Sequence, residues 1–330
     1  MSVRRRSIFF SLILIVGVLF ICEAITTVFH FHRTTKHVSA LQLYSKKLLQ
    51  GGIRRFLPIG IFEDDLVLGY RHKPNTVGTH VDLDFSVKYT LDRNGSRVIP
   101  EPSSSQGRIV FLGGSYTFGH GVEDSEGFPA LLARDYWPDW TVKNRAVAGY
   151  GTAHAYLILK QELEGNATPD VIVYPFLNGH IIRNYISEEW LATISFFGRL
   201  HPHFEIESGH LSYHGVVGAE AGQAMSEVTS AKERDLTILM IEEMQRLCRE
   251  RGVAFFVILL PGERWPPAVA AALYQLDHAP LDLSAYRLKA FANDGHPNAE
   301  DHRYIAEQIG QSMINQWVES LSLASEAGAE

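Results

Sequence analysis

Cysteine is almost missing from this chain, with 2 in 330 residues. Cys22 lies in an apolar N-terminal segment and Cys248 in an expected helix, so they do not pair with each other and no disulfide framework carries the fold. Lipid attachment at Cys22 is excluded by the bulky Phe20 and Ile21 before it. Positive charge is also scarce: the formal net charge is -7 and no Lys/Arg-rich run follows the N-terminus, which removes nucleic acid as a partner. No Gly-Lys-Ser/Thr phosphate loop follows the glycines at 113 and 114. Thr117 stands where a Gly-x-Ser-x-Gly elbow needs its last glycine. The glycines at 149 and 151 lack the third member of a dinucleotide fingerprint. There is no internal repeat.

Long apolar runs are confined to the N-terminus. Arg4, Arg5 and Arg6 precede a stretch from Ile8 to Val28 broken by Ser11, Glu23 and two threonines. That length crosses a bilayer core as a helix, and the flanking arginines place the N-terminus inside. No small-x-small cleavage site follows, so an uncleaved anchor is expected over a cleaved signal peptide. Residues 1–29 are then a cytoplasmic tip and signal-anchor helix, with the membrane engaged through residues 8–28. Residues 30–56 read as a juxtamembrane stalk, with a short amphipathic helix over Ser39–Leu49.

Residues 57–106 form a distinct extension. Pro74-Asn75 and Asn94-Gly95 are turn signals, and Val81–Thr90 alternates as one strand with Leu83, Phe85 and Val87 on one face. From residue 107 to 321 strands and helices alternate. Short apolar runs at Arg108–Leu112, Trp140–Val147, Val171–Phe176 and Val253–Leu260 read as strands. Phe128–Tyr136, Ala153–Glu164, Ala231–Arg251 and Ala299–Leu321 read as helices. This pattern predicts an α/β fold: a three-layer α/β/α sandwich around a flavodoxin-like parallel sheet of about five strands. Residues 181–230 break the alternation and carry a hairpin around Ser208-Gly209, expected to act as a lid or substrate wall. Residues 322–330 read as a frayed tail.

Four segments fall where the strands of such a sheet end, the edge at which ligands bind. Ser115 follows Gly113-Gly114; alone, this is also what a serine-capped strand-to-helix turn looks like. Gly149 lies in Asn144-Arg-Ala-Val-Ala-Gly-Tyr-Gly151, where a glycine N–H can face a developing oxyanion. Asn178 in Tyr174-Pro-Phe-Leu-Asn-Gly-His180 offers a side-chain donor. His296 in Asn293-Asp-Gly-His-Pro-Asn298 has a carboxylate neighbour, the arrangement of a general base; helix capping by Asp294 and Asn298 is the competing reading.

The order of these segments resembles the signature blocks of the SGNH, or GDSL-like, hydrolase superfamily. The resemblance implies Ser115 as nucleophile, His296 as base and Asp294 as its orienting acid. It implies the Ser115 N–H, the Gly149 N–H and the Asn178 side chain as oxyanion donors. Asp65–Asn75 and Tyr89–Arg97 resemble an N-terminal extension of some bacterial members. Two departures stand out. The usual acid position, three before the histidine, is Asn293, and Phe176 and Gly179 replace the glycine and aspartate of the third block. The implied activity is acyl-ester hydrolysis by a Ser-His-Asp mechanism on O-acyl groups of an envelope or extracellular glycan. An O-acetyltransferase, a lipid esterase and a non-catalytic glycan- or partner-binding protein are the alternatives. The implied location is the inner membrane, single-pass, with the catalytic domain on the periplasmic side.

No cofactor or metal is expected. His201, His203, His210 and His214 cluster in the insertion, but zinc needs three or four of them to converge, and solvent-facing hairpin histidines are expected instead. Glu263, Arg264 and Trp265 follow a strand end and are candidate pocket residues. Asn94-Gly-Ser96 and Asn166-Ala-Thr168 are sequons of the kind that arise by chance.

Overall fold

The computed structural model describes Val18 and residues 60–327, apart from 166, 185–189, 191–199, 219–229, 263 and 264. Apart from Val18, the anchor at residues 8–28 lies outside the described residues, as do the stalk and its helix, Glu263 and Arg264. Among the described residues no helix is long and apolar enough to cross a membrane. Ile59–Glu330 forms one compact unit, with Met1–Pro58 a separate one.

The larger unit begins with β1 (Phe62–Asp65) and β2 (Gly69–His72), paired antiparallel, then β3 (Val77–Val81) and β4 (Ser86–Thr90), also antiparallel. The single strand expected over Val81–Thr90 is therefore two strands and a turn. Its alternation runs through the reversal at Asp82–Phe85, where the Asp82 N–H donates to the Phe85 carbonyl at 2.9 Å and the Asp82 carboxylate accepts from the Leu83 N–H. No Gly or Asn-Gly marks that turn in the sequence.

The main sheet follows: β5 (Arg108–Phe111), α1 (Ser115–Phe118), α2 (Phe128–Asp135), β6 (Thr141–Asn144), α3 (Thr152–Glu164), β7 (Val171–Phe176) and α4 (Gly179–Asn184). The hairpin β8 (His201–Glu207) and β9 (His210–Val217) comes next, then α5 (Ser230–Glu250), β10 (Ala254–Leu259), α6 (Pro267–Leu273), β11 (Leu281–Asp282), α7 (Ala299–Gly310) and α8 (Met313–Ala327). The sheet order is β11-β10-β7-β5-β6, all parallel. This is the five-stranded flavodoxin-like arrangement expected from the alternation. Its fifth strand, β11, has two residues, too few to carry a pattern.

Successive residues of each strand enter opposite layers, as strand geometry dictates. Val110, Ile172, Tyr174, Phe255, Val257 and Leu259 face α3, α5 and α6. Ile109, Phe111, Val171, Val173, Phe256 and Ile258 face α2, α7 and α8. Each fully buried side chain of this size contributes about 1.5–3 kcal/mol of transfer free energy, so two filled layers fix the sheet and with it the edge that carries the site.

The one helix expected over Ala299–Leu321 is two. Ser312 Oγ donates to the Ile309 carbonyl at 2.7 Å and accepts from the Ile314 N–H at 3.2 Å. A serine that bonds the local backbone in this way competes with the helical ladder and ends it. The hairpin expected around Ser208-Gly209 is present, with positive φ at both turn residues (51° and 80°). It packs Phe204 against Tyr156 of α3, and Tyr213 Oη donates to the Val67 carbonyl at 2.9 Å.

Candidate active site

Strand order reverses between β5 and β7, because β6 lies outside β5 while later strands add beyond β7. In open α/β sheets ligands bind at the carboxyl edge of such a switch point. Ser115 sits there as the first residue of α1, 7 % exposed. The turn into it needs glycine at 113: φ is +130°, and a Cβ would lie 2.6 Å from Thr117 Oγ1.

Ser115 Oγ lies 2.9 Å from His296 Nε2, and His296 Nδ1 lies 2.5 Å from Asp294 Oδ1. Three residues separated by up to 181 positions thus form one hydrogen-bonded line. Burial alone would raise the Asp294 carboxyl, but hydrogen bonds from His120 and His296 outweigh it and hold the group well below the usual carboxylate range. The capping alternative for Asp294 is not what the chain does. Asn298 is the N-cap of α7, accepting from the Glu300 and Asp301 N–H groups at 3.0 and 3.1 Å. The buried Asp301 carboxylate accepts from the Lys289, Ala290 and Asn298 N–H groups and from Tyr286 Oη, so it holds the loop that presents Asp294 and His296.

The second and third segments lie at the same edge of the sheet. Gly149 has φ +90°, and a Cβ there would lie 2.5 Å from Tyr70 Oη, which donates to the Ala148 carbonyl. Tyr150 Oη donates back to the Tyr70 carbonyl at 2.6 Å, so β2 of the extension supports the Gly149 loop. Asn178 is half-buried between β7 and α4, its carbonyl accepting from the Ile181 N–H. Arg183 of α4 ties these loops together: Nη1 donates to the Tyr150 carbonyl at 3.0 Å and lies 3.2 Å from where a Gly114 Cβ would stand. His180 is buried, its Nδ1 3.0 Å from Tyr174 Oη, and burial pushes it well below its ordinary range. Trp265 stacks on Phe176, ring centroids 5.1 Å apart.

Three contributors were not singled out in the sequence. His120 places Nε2 3.4 Å from Asp294 Oδ2. Arg97, 3 % exposed, pairs with Asp124 at 2.9 Å and donates to the Phe118, Gly119 and Val122 carbonyls, fixing the turn after α1. Asp84 accepts from the Asn293 N–H and Nδ2, both at 2.7 Å, and from the Asp294 N–H at 3.1 Å. A second histidine five residues after the serine was a usable signal for His120. Nothing local marked Arg97 or Asp84.

Of the insertion histidines, His203 and His214 pack ring against ring, centroids 5.3 Å apart, while His201 is buried, contrary to the solvent-facing placement expected. His201 is buried against His154, its Nδ1 2.8 Å from the Pro202 carbonyl. His203 and His214 instead lie 3.3 and 3.1 Å from Glu205 and Glu207.

No protein-family model matches the chain, and no curated protein matches it. Among solved structures it is similar to the psychrotrophic esterase EstA from Pseudoalteromonas sp., at 14 % identity and TM-score 0.40, over 64 % of this chain and 99 % of that one. It is also similar to a carbohydrate acetylesterase family member from Sinorhizobium meliloti, at 12 % identity and TM-score 0.40, over 66 % and 99 %. A GDSL-like lipase from Bacteroides thetaiotaomicron is similar at 14 % identity and TM-score 0.33, over 64 % and 90 %. At such values the chemistry rests on the site's own geometry.

Proposed function

We propose that the protein is a serine esterase in which Ser115 is the nucleophile, His296 the general base and Asp294 the orienting acid. The unbroken line from Ser115 Oγ through His296 to Asp294, at 2.9 and 2.5 Å, carries this reading. His296 Nε2 takes the hydroxyl proton as Ser115 Oγ attacks an ester carbonyl, and Asp294 stabilises the imidazolium. The oxyanion is met by the Ser115 N–H, the Gly149 N–H and the Asn178 side chain. Preorganised donors of this kind are commonly the largest contribution to such catalysis. The alcohol leaves with the proton from His296, and water, activated by the same imidazole, releases the acid; a sugar hydroxyl in place of water gives transfer.

The substrate class we propose draws on the anchor expected at residues 8–28 and on the superfamily resemblance. An anchor there puts the catalytic unit outside the cytoplasm, against O-acyl groups of an envelope glycan. The test uses the full-length protein in membranes. A fluorophosphonate probe is expected to label Ser115, Ser115→Ala to abolish labelling with little change in melting temperature, and acetylated envelope glycan to lose acetate. Absence of labelling would reject the esterase in favour of a glycan- or partner-binding protein. Labelling without acetate release would reject the substrate class alone.

A further inference from the structure

The mechanism above uses one histidine, yet Asp294 faces two. His296 takes Oδ1; His120 stands at Oδ2, 3.4 Å away, with its ring packed on that of His296 at 4.2 Å between centroids. The Asp294 and His120 side chains are 10 % and 16 % exposed, so neither contact is diluted by open solvent. His120 is also tied to the nucleophile through the backbone: its N–H donates to the Ser115 carbonyl at 3.0 Å, closing the turn that ends α1. The contacts therefore form a closed circuit, from Ser115 Oγ to His296, to Asp294, to His120, and back to the Ser115 backbone.

We infer that His120 is a positioning residue for this site, an N–H donor that pins the second oxygen of Asp294 and so couples the nucleophile's turn to the acid's loop. The inference rests on the esterase reading. A carboxylate held at one oxygen can swing about its terminal torsion; held at both, it keeps Oδ1 on the base. The surroundings suit a neutral donor. His80 of β3 meets the His120 ring edge-on at 4.8 Å, and Phe85 packs on it at 5.5 Å. Tyr89 Oη accepts from the Gly121 N–H and lies 3.2 Å from His80 Nδ1. The charged and titratable groups facing His120 are Asp294, His296, His80 and, at longer range, Asp82. Burial lowers the His120 imidazole, with the Asp294 hydrogen bond opposing, a direction that favours the neutral ring the inference requires.

The consequence is a pH signature. A donor on Oδ2 draws charge away from Oδ1. Without it Asp294 holds the imidazolium more tightly, and the rising limb of the pH profile moves to higher pH. The looser carboxylate simultaneously slows reaction at the plateau. The experiment measures Ser115 labelling by a fluorophosphonate from pH 5 to 9 in full-length wild type, His120→Phe and His120→Gln. Phenylalanine keeps the ring packing and deletes the N–H, while glutamine restores a donor near the Nε2 position. His120→Phe is expected to label about tenfold more slowly at the plateau, with its limb displaced upward, and His120→Gln to recover both. A slower His120→Phe with an unmoved limb would reduce His120 to packing and overturn the inference. So would His120→Gln behaving like His120→Phe.

If wild type itself is not labelled, the esterase reading falls. The inference is then decided by the imidazole nitrogen spectrum, which also decides it if His120→Phe does not fold. A protonated His120 Nε2 that shifts on Asp294→Asn supports it, and one that does not shift overturns it.

Discussion

The two walls around Ser115, one on each side of the site, are held by different physics. On the side of α1 and the loop before α7, charged groups set the positions. Arg97 spans four acceptors, Asp294 joins two histidines, Asp301 gathers three backbone N–H groups and a tyrosine hydroxyl, and Asp84 gathers three donors from Asn293 and Asp294. On the side of the Gly149 and Asn178 loops, stacked rings do the same work. Tyr70, Tyr150 and His154 pack in sequence, His201 closes on His154, and His180 lies parallel to Tyr174. The charge there is Arg183, spent on the Tyr150 carbonyl and on packing over Trp190. A base that must gain a proton needs a carboxylate beside it. Loops that only present N–H groups need rigidity, which buried neutral rings supply without a desolvated charge.

The sharpest way to break this contrast is to neutralise the charged wall at its centre. Asp294→Asn keeps the shape and removes the charge that, in the mechanism proposed, stabilises the imidazolium. Turnover, or labelling of Ser115, is expected to fall by about 10³–10⁴-fold with His296 still in place. Loss of less than tenfold would make the site a Ser/His dyad. Next in size is Arg97→Met. It leaves the Phe118, Gly119 and Val122 carbonyls and Asp124 without their donor, and urea unfolding is expected to show a loss of about 3–5 kcal/mol.

The neutral wall is tested by acid. His154 and His180 are pushed well below the ordinary histidine range by burial, and burial lowers His201 to about 4. His302, buried against Phe128 behind α2, is lowered to about 3. These groups stay neutral when folded and protonate when unfolded. Their contribution is complete above about pH 6.5 and drains as the pH falls toward about 4, at up to about 1.4 kcal/mol per group per pH unit. The melting temperature is expected to fall steadily from pH 7 to 5. His201→Asn, which keeps a donor for the Pro202 carbonyl, should make that slope shallower. An unchanged slope would mean His201 already titrates normally in the fold.

The difference between the walls also explains what could be read from the chain alone. Ser115, Gly149, Asn178 and His296 lie in short segments whose glycines and neighbouring strands announce them locally, and the parallel sheet follows from apolar runs a few residues long. The supports were hidden because they act at a distance. His120 meets Asp294 across 174 positions, and Asp84 meets Asn293 across 209. The extension, legible as a separate stretch, gave no sign that it shares a core with the site. Ile61, Phe85, Tyr89 and Leu91 pack there with Phe118 of α1, and Phe85 reaches Phe291 in the loop that carries Asp294.

The smallest expected effect concerns Asn293, which occupies the place where members of the resembled superfamily usually carry the acid. Its amide points at Asp84, donating at 2.7 Å, while Asp294 reaches the imidazole. Asn293→Ala removes one exposed donor and leaves both backbone N–H groups on Asp84, so turnover is expected to change by less than about threefold. Asn293→Asp is the more telling substitution, because it sets a second carboxylate against that of Asp84 and the like charges push the loop apart. Asn293→Asp added to Asp294→Asn is therefore expected to stay inactive: the new carboxylate faces Asp84 and not His296 Nδ1. Adding Asp84→Asn removes the repulsion but still leaves the side chain aimed at the extension, so turnover should remain low in the triple variant. Recovery to within tenfold of wild type in the double variant would show that the loop re-aims freely, and that Asp84 does not fix which residue serves as the acid.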